Sequence, residues 1–338
     1  MKQIICLEPG KMEHREVSNP IAEAGMVILK IKRIGICGTD LHAFEGTQPF
    51  FSYPRVLGHE LACEIAEIGS TDTHYKIGDP VTIIPYFNCG TCIACRTGKT
   101  NCCTNIEVAG VHIDGGMGEY FKVPYYSLID GFGLNTDQLA MVEPMAIGAH
   151  AVRISEIKTN EYVLITGAGP IGLGIMALAK IRGAFVIAMD VNNERLEFAK
   201  NNFNVDYTLN ALENPVEQIS KITNGEMASV VIDATGNKRA IEGGLEFLAH
   251  GGRMTLVGIQ KESFSFNHPE FHKRETTLRS SRNATREDFD LVVEHIRNGN
   301  LNVSALISHR VSFDALPELF PQLLNPQMGV IKAIVELD

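Results

Sequence analysis

Five of the chain's eight cysteines fall within the stretch NCGTCIACRTGKTNCC, residues 88–103. Such a cluster can form a disulfide, a redox centre or a metal site. Four of them follow the spacing C-x2-C-x2-C-x7-C, namely Cys89, Cys92, Cys95 and Cys103. Four thiolates around one ion make a closed tetrahedral zinc site that performs no chemistry. The spacing therefore predicts a structural metal loop, with an iron–sulfur cluster as the rival metal and Cys102 as an alternative fourth ligand.

A second group of metal-binding side chains lies upstream of this loop. The stretches GICGTDLHAFEG and YPRVLGHELACEIAEIG carry Cys37, His59 and Glu60. One sulfur, one imidazole and one carboxylate leave a coordination position for water or substrate, which is the arrangement of catalytic zinc. Each residue alone also fits a buried structural role, so these stretches by themselves leave both interpretations open.

Residues 161–200 predict a strand, a turn, a helix and a second strand. The apolar run 162–166 is typical of a buried parallel strand, and the later run FVIAMD ends at Asp190. The turn carries G-x-G-x-x-G over residues 167–172, and its candidate cofactor-binding residues are Gly167, Gly169, Pro170, Ile171 and Gly172. Its glycines permit a tight turn and the close approach of a pyrophosphate to the helix N-terminus. The segment therefore predicts a dinucleotide site.

The predicted dinucleotide is NAD rather than NADP. Asp190 lies 18 residues beyond the last glycine of the motif. A carboxylate there accepts hydrogen bonds from the ribose 2′-hydroxyl and repels a 2′-phosphate. Two further strands, 228–236 and 253–259, continue the sheet. Ligand contacts are expected where these strands end, at Thr235, Val257 and Gly258.

Length and charge limit the partners. A chain of 338 residues is long enough for two domains, and its net charge of −10 disfavours a nucleic-acid partner. The N-terminal stretch has no apolar signal segment. The longest uncharged run, 18 residues over 162–179, is interrupted by four glycines and a proline, which argues against a membrane span. We therefore predict a cytoplasmic protein without a membrane partner.

That compartment bears on the cysteine cluster. Cytosolic thiols are kept reduced, so clustered cysteines there serve more often as ligands or catalysts than as disulfides. A zinc ribbon that binds nucleic acid is the weaker interpretation, since the loop carries only Arg96 and Lys99 as basic residues and the chain is acidic.

The motifs GICGTD and GHE, the cysteine loop and the glycine motif, in this order, resemble the zinc-dependent medium-chain alcohol and polyol dehydrogenases. This family includes sorbitol and threonine dehydrogenases, and the resemblance covers essentially the whole chain. It implies an α/β protein with a GroES-like, mostly-β catalytic domain over 1–144 and a doubly wound Rossmann NAD domain over 145–279. Residues 280–338 would return to the catalytic domain. The resemblance also implies one catalytic and one structural zinc per subunit, NAD as cofactor and a homodimer or homotetramer.

The resemblance also implies roles for the metal-binding residues. Cys37, His59 and Glu60 correspond to ligands of the catalytic zinc. Glu143, in VEPMAIGAHA, falls where alcohol dehydrogenases of the liver type carry another zinc-binding cysteine. Glutamate there is the pattern of the polyol and threonine enzymes, so Glu60 and Glu143 can share or exchange one coordination position.

Four polar residues take further roles by the same resemblance. Thr39 corresponds to the hydroxyl that accepts the substrate proton, and His42 to the base that relays it to solvent. Asp40 is expected to fix the tautomer of His59. The basic residue Arg195 is expected against the adenine face. Alternatively, Asp40 caps a helix start, and His42 and Arg195 are solvated surface residues.

Two stretches indicate the substrate. QPFFSYPRVLGHE (48–60) and HPEFHKRETTLRSSRNATREDF (268–289) resemble the branch of the family that oxidises sugar acids such as L-galactonate. The second stretch holds five basic residues, Lys273, Arg274, Arg279, Arg282 and Arg286. Arginine binds carboxylates in a bidentate manner, and Arg282 and Asn283 are the candidate substrate residues, although solvated surface charge is an equal alternative for each.

The predicted function is therefore hydride transfer from a secondary alcohol of a sugar acid or polyol to NAD. Sorbitol-, threonine- and butanediol-type activities of the same family are the alternatives. A zinc-free reductase of the superfamily would lack both ligand sets. A zinc-binding interaction protein without enzymatic activity leaves the glycine motif and Asp190 unexplained.

We expect two zinc ions per subunit with separable roles. Cys95→Ser should lose one ion and much of the protein's stability, because structural zinc contributes folding free energy directly. Cys37→Ser should lose the other ion, stay folded and still bind NAD, but turn over little substrate. Elemental analysis, thermal unfolding and NADH fluorescence test this. Near-normal activity of Cys37→Ser without its zinc would contradict the metal mechanism.

Overall fold

A computed structural model of the chain describes residues 1–49 and 51–337. Phe50, which belongs to the stretch 48–60 singled out above, and Asp338 lie outside the described residues. The chain divides into two compact units. The first unit contains residues 1–144 and 285–338, and the second contains residues 145–284.

The N-terminal part of the first unit consists mainly of strands. Its strands are β1 (Lys2–Glu8), β2 (Lys11–Glu16), β3 (Met26–Ile36), β4 (Glu60–Ile68), β5 (Pro80–Ile83), β6 (Tyr86–Phe87), β7 (Glu107–Val108), β8 (Tyr120–Pro124) and β9 (Leu128–Asp130). Its helices are α1 (Gly38–Phe44), α2 (Ile93–Arg96), α3 (Thr136–Ala140) and α4 (Val142–Ile154), the last of which continues into the second unit.

The second unit alternates strands and helices. Its strands are β10 (Tyr162–Thr166), β11 (Phe185–Asp190), β12 (Tyr207–Asn210), β13 (Ala228–Asp233), β14 (Leu248–Leu256) and β15 (Thr277–Ser280). Its helices are α5 (Pro170–Ile181), α6 (Asn193–Phe203), α7 (Pro215–Ile222), α8 (Lys238–Gly243) and α9 (His268–Lys273). The strands and the helix predicted around the glycine motif are confirmed at β10, α5 and β11.

The chain then returns to the first unit. This return comprises α10 (Arg286–Arg297), β16 (Ile307–Ser312), α11 (Leu316–Leu323) and β17 (Lys332–Glu336). Helix α10 begins directly after its N-cap residue, Thr285. The reason is a capping box, in which the Asp288 carboxylate accepts hydrogen bonds from the backbone N–H and hydroxyl of Thr285, at 2.9 and 2.8 Å.

The sheet of the first unit combines the beginning and the end of the chain. Among the described residues its order is β16-β17-β3-β4-β5-β9, and β8 also pairs with β3. The long strand β3 is antiparallel to β4, β8 and β17. Its apolar residues join a core that includes Phe44 and Phe320, whose rings lie 5.0 Å apart. The return segment is therefore part of the first unit's core.

The sheet of the second unit is parallel throughout. Within the described residues its order is β12-β11-β10-β13-β14-β15. The strand order reverses direction between β10 and β13, and ligands bind at the carboxyl ends of strands beside such a point. Residues Gly172–Ala179 of α5 are all buried, and several are small enough to let this helix approach the sheet closely. The predicted doubly wound sheet is confirmed.

No helix in the described part of the chain is both long and apolar enough to cross a membrane.

A buried ion pair joins two strands that flank β3. Lys332 begins β17 and Glu60 begins β4, and Lys332 Nζ lies 2.6 and 2.7 Å from the two Glu60 carboxylate oxygens. The side chains are only 3% and 0% exposed. A Cβ atom on Gly35, between them in β3, would lie 2.0 Å from a Glu60 oxygen. Glycine at this position therefore leaves room for the pair.

The ion pair should dominate the stability of this region. Lys332→Met leaves the Glu60 carboxylate buried without its cation, which should cost about 3–5 kcal/mol of unfolding free energy. Urea unfolding measures the loss. The matched control is Lys122→Met, which removes the exposed pair with Glu23 and should cost no more than about 1 kcal/mol. Equal losses in the two variants would contradict a dominant role for the buried pair.

Candidate functional site

The antiparallel pairing of β3 and β4 assembles the candidate metal centre. Cys37 directly follows β3 and is the N-cap residue of α1, while His59 directly precedes β4 and Glu60 begins it. Gly35 in β3 is opposite Glu60, so the two strand ends are neighbours. The sulfur, imidazole and carboxylate ligand atoms all lie within 4.8 Å of one another. The structure thus brings Cys37 beside His59 and Glu60, which follow it by 22 and 23 positions in the sequence.

The imidazole of His59 has an unused nitrogen. His59 is 5% exposed, and its Nδ1 has no hydrogen-bond partner among the described residues. A buried polar atom without a partner costs free energy unless something else satisfies it. Together with the soft sulfur and the carboxylate, this donor set fits zinc.

Asp40 lies beside His59 but does not hydrogen-bond to it. Its Oδ1 is 4.0 Å from His59 Nδ1, beyond hydrogen-bond length. The carboxylate instead accepts from the backbone N–H groups of Cys37, at 2.9 Å, and Gly58, at 3.1 Å. Asp40 therefore caps α1, the alternative raised from the sequence, and fixes the backbone on both sides of the metal centre.

The charges of this centre act on one another. Burial lowers the pKa of His59, but the neighbouring Cys37, Asp40 and Glu143 together hold it well above its usual range. Burial raises the pKa of Asp40, while the charge of His59 opposes the rise. The protonated imidazole is thus favoured by surrounding acids. A metal cation at the same place would be stabilised by the same acids.

Glu143 lies in the first turn of α4 and faces the same centre. It is outside the closest three-residue group, yet its charge acts on His59 and Glu60. Burial raises the pKa of Glu143 to about 7, and the Glu60 carboxylate adds to the rise. Both carboxylates predicted to share a coordination position are therefore buried in one cluster with His59.

Two residues of this cluster were missed from the sequence. The phenol of Tyr86 donates a hydrogen bond to Glu143, and its ring packs edge-on against Phe289 of α10 at 6.3 Å. Lys332 neutralises Glu60, as described above. Neither residue belongs to a motif. For Lys332, the only signal in the sequence was a lysine at the start of the mostly apolar run KAIVEL.

The predicted proton-relay residues lie on α1. Thr39 is half-buried in its first turn. The His42 side chain is 61% exposed, and its Nδ1 lies 3.3 Å from both Glu45 Oε2 and Thr47 Oγ1. This exposure of His42 is compatible with both interpretations from the sequence, a base that exchanges a proton with water and a solvated surface residue.

The cysteine loop closes on itself. Antiparallel pairing of β6 with β7 brings its two ends together. The sulfur atoms of all four predicted ligands lie within 4.8 Å of one another, namely those of Cys89, Cys92, Cys95 and Cys103. Cys102, the alternative fourth ligand, is exposed and lies outside this group. Positive φ angles at Gly90 and Gly98, 74° and 77°, allow the chain to wrap this tightly.

Backbone N–H groups point at the loop's sulfur atoms. Cys92 accepts from the backbone of Cys95 at 3.5 Å, and Cys103 accepts from the backbone of Cys89 at 3.3 Å. The hydrogen bond from Cys95 is the main reason that the pKa of Cys92 falls to about 5. Burial instead raises the pKa of Cys95 to about 11. Thiolates are the form that binds zinc, so hydrogen bonding favours a cation at Cys92, whereas Cys95 would have to lose its proton on binding.

The glycine motif forms the turn between β10 and α5. Gly167 has a φ of +94°, and a Cβ atom on Gly172 would lie 1.8 Å from the Gly167 carbonyl oxygen. Gly169 is the N-cap of α5, with no side-chain cap and open space around its Cβ position, while Pro170 and Ile171 begin the helix. The N-cap position of α5 therefore carries no side chain, which leaves room for a pyrophosphate at the helix N-terminus.

Asp190 stands at the carboxyl end of β11, as predicted. Its carboxylate accepts hydrogen bonds from the backbone N–H groups of Ala168 at 2.6 Å and Asn192 at 2.9 Å. The first of these bonds ties Asp190 to the glycine turn. Arg195 lies on α6; burial lowers the pKa of its guanidinium, and the charge of Asp190 opposes that shift.

The other predicted cofactor residues follow the next two strands. Thr235 lies two residues after β13, and Val257 and Gly258 directly follow β14. The backbone N–H groups of Val257 and Gly258 both point to the carbonyl oxygen of Asp233, at 2.8 and 3.2 Å. Asp233 is a third residue missed from the sequence. The signal was available, since this acid ends an apolar strand exactly as Asp190 does.

The candidate substrate residues follow β15. Arg282 is exposed, and Asn283 adopts left-handed backbone with a φ of 52°. They belong to the last residues of the second unit.

Comparison with known proteins identifies the family of the chain. Residues 23–131 match the alcohol dehydrogenase GroES-like domain, and residues 170–298 match the zinc-binding dehydrogenase domain. The L-galactonate-5-dehydrogenase of Escherichia coli K12 is 41% identical over 335 residues, which cover 99% of this chain and 98% of that protein. The L-threonine 3-dehydrogenase of Pyrococcus horikoshii is 33% identical and covers 98% of this chain and 97% of its own length.

A solved structure agrees with these sequence matches. The rspB alcohol dehydrogenase of Escherichia coli CFT073, complexed with the cofactor NADH, superimposes with a TM-score of 0.93 at 30% identity. The match covers 100% of this chain and 99% of that one. The predicted GroES-like and Rossmann fold, zinc and a nicotinamide cofactor are thereby confirmed at the level of the family. This chain belongs to the zinc-binding alcohol dehydrogenase family.

Proposed function

We propose that the protein oxidises a secondary alcohol of a sugar acid, of which L-galactonate is the leading candidate, and transfers the hydride to NAD. The observation that carries the proposal is the group of half-buried Cys37 and buried His59 and Glu60, whose donor atoms lie within 4.8 Å of one another and which offers three ligands rather than four. Three protein ligands leave one position for a substrate oxygen.

The first unit would hold two zinc ions with different tasks. Cys37, His59 and either Glu60 or Glu143 would bind the catalytic ion, and the four-cysteine loop would bind the structural one. Zinc at the catalytic position supplies Lewis acidity, which lowers the pKa of an alcohol beside it. Both oxygens of Glu60 accept from Lys332, so ligation by Glu60 requires a change in that ion pair, whereas Glu143 is held by Tyr86.

The protein's own side chains would move the proton. The Thr39 hydroxyl would accept the proton from the substrate hydroxyl while giving up its own, which would be relayed to the His42 imidazole and from there to water. The exposed His42 side chain suits the last step, because its imidazole reaches solvent directly. Asp40 would keep Cys37 in place through its hydrogen bond to that residue's backbone.

The second unit, residues 145–284, would bind the cofactor, which supplies the hydride acceptor. The glycine turn and the first turn of α5 would hold the pyrophosphate, and Asp190 the adenosine ribose. Arg195 would lie against the adenine. Thr235, Val257 and Gly258 would contact the remainder of the dinucleotide from the ends of β13 and β14.

Substrate chemistry follows from the relatives. L-galactonate and L-threonine, after which the two relatives above are named, are both secondary alcohols that carry a carboxylate. A shared anionic group argues for a basic partner in this chain, and Arg282, with Asn283 beside it, is the proposed one. The greater identity with the L-galactonate enzyme favours the sugar acid over threonine.

The proposed setting is the cytoplasm, where thiols stay reduced and available to zinc. The proposed assembly is a homodimer or homotetramer.

A substrate panel tests the proposal. NAD reduction should be fastest in kcat/KM with L-galactonate, intermediate with sorbitol and L-threonine, and poor with ethanol and 2,3-butanediol. A site built for several hydroxyls is left with unpaired polar groups when they are missing. Higher kcat/KM for ethanol or butanediol than for every sugar acid and polyol would refute the substrate while leaving the dehydrogenase assignment intact.

Two variants test the proposed contact between Arg282 and the substrate carboxylate. Arg282→Gln should raise the KM for L-galactonate about tenfold or more, because a charge-assisted hydrogen bond contributes about 1.5–3 kcal/mol. The KM for sorbitol, which has no carboxylate, should stay the same. Lys273→Gln, on the exposed helix α9, is the matched control and should change neither value.

Cofactor choice gives a further prediction. Asp190→Ala should lower kcat/KM with NAD about tenfold or more and narrow the preference over NADP, because both the ribose hydrogen bonds and the repulsion of a 2′-phosphate disappear. Glu194→Ala, which removes an exposed acid of α6, is the control and should leave the ratio unchanged. Equal kcat/KM for NAD and NADP in the unmutated enzyme would refute the assignment of Asp190.

A further inference from the structure

Asp233 is a fully buried acid at the carboxyl end of β13, and neither metal nor substrate chemistry accounts for it. Its Oδ1 accepts hydrogen bonds from the hydroxyls of Thr166 at 2.9 Å and Thr235 at 2.6 Å. Its Oδ2 accepts from the backbone N–H of Gly236 at 3.0 Å. Thr166 ends the neighbouring strand β10, so one carboxylate links the ends of two strands.

All three donors to this carboxylate are neutral. Within the described residues, none of the hydrogen bonds or ion pairs of Asp233 involves a lysine, arginine or histidine. Burying a carboxylate without a cation is costly even when it is hydrogen-bonded. Removing the carboxylate would leave three donors without their acceptor, and these donors lie at the end of β10 and in the turn after β13, so the acid holds the two strand ends together.

Its bonds fix the surface on which the dinucleotide would lie. The Thr235 methyl would be 2.9 Å from a Cβ atom on Gly167, and the Gly236 nitrogen 2.1 Å from one on Gly258. The turn after β13 therefore packs without clearance between the glycine turn after β10 and the turn after β14. The Asp233 carbonyl oxygen holds the last of these through the N–H groups of Val257 and Gly258.

We propose that Asp233 is a positioning residue for the nicotinamide cofactor. Its carboxylate orients Thr235 and Gly236, and its backbone carbonyl holds Val257 and Gly258, so that three strand ends present one preformed surface to the dinucleotide. The inference rests on the proposed use of NAD. It adds to that proposal a residue that touches no cofactor atom and acts through the two turns it holds.

Asp233→Asn tests the inference. The amide oxygen can still accept from the two hydroxyls, but the amide NH₂ then meets the Gly236 N–H donor to donor, which releases the turn. We expect the Kd for NADH, measured by fluorescence, and the KM for NAD to rise about tenfold, since losing a hydrogen bond to a charged group is worth at least that factor. The kcat at saturating NAD and the zinc content should change little.

Thr223→Val separates positioning from general loss of stability. Thr223 is also buried in the second unit, and its hydroxyl accepts from the Met227 backbone at 2.8 Å, just before β13 begins. This variant should lower the melting temperature and leave the Kd for NADH unchanged. A similar rise in Kd in Thr223→Val would overturn the inference, because the effect would then reflect general destabilisation.

Thr166→Val covers the case in which Asp233→Asn does not fold. It removes one donor to the carboxylate and should raise the Kd for NADH several-fold in the same direction. If Asp233→Asn folds and binds NADH as the unmutated protein does, the inference is overturned. If Asp233→Asn does not fold, unchanged NADH binding by Thr166→Val overturns it. Neither result affects the proposed cofactor. An unmutated protein that binds no NADH overturns the proposed cofactor together with the inference.

Discussion

The packing of the first unit depends on several charged side chains that are buried and interact with one another. The pair between Glu60 and Lys332 crosses β3 above Gly35 and joins residues 272 positions apart. Burial lowers the pKa of Lys332, but Glu60 and the other nearby acidic groups more than offset this, so the pKa is raised and the lysine stays a cation in the interior. Because a lone buried charge is so costly, this pair fixes the return strand β17 beside the metal centre.

The same constraint explains why the candidate metal centre is built as a cluster. His59, Glu60 and Glu143 are all buried, and each carboxylate has a specific donor, Lys332 for Glu60 and Tyr86 for Glu143. Asp40 instead takes backbone N–H groups, which sets the turn that carries Cys37. A cation in this cluster would meet ligands that are already oriented, and orientation before binding reduces the entropy lost on binding.

In the second unit, the main constraint is the close packing of backbone turns at one edge of the sheet. Parallel strands bring three turns to one edge of the sheet, and glycines at 167, 172 and 258 let these turns approach to within contact. Acids at the ends of β11 and β13 then hold the turns through N–H groups and hydroxyls. The surface for a dinucleotide is thus assembled from local turns that are tied together by two carboxylates.

The sequence by itself determined the fold class and the glycine turn, and it predicted the side chains of both candidate metal groups, because short spacings such as C-x2-C, GHE and G-x-G-x-x-G mark them. It also marked Asp190, and it could have marked Asp233, since both acids end an apolar strand. The spacing favoured Cys103 over Cys102, and only the tertiary structure placed the Cys103 sulfur beside the other three and set Asp40 against backbone N–H groups rather than His59. It alone brought in Tyr86 and Lys332, whose partners lie 57 and 272 residues away. Spacing along the chain predicts contacts within a turn, whereas contacts between distant strands follow from sheet order and burial, which no local pattern encodes.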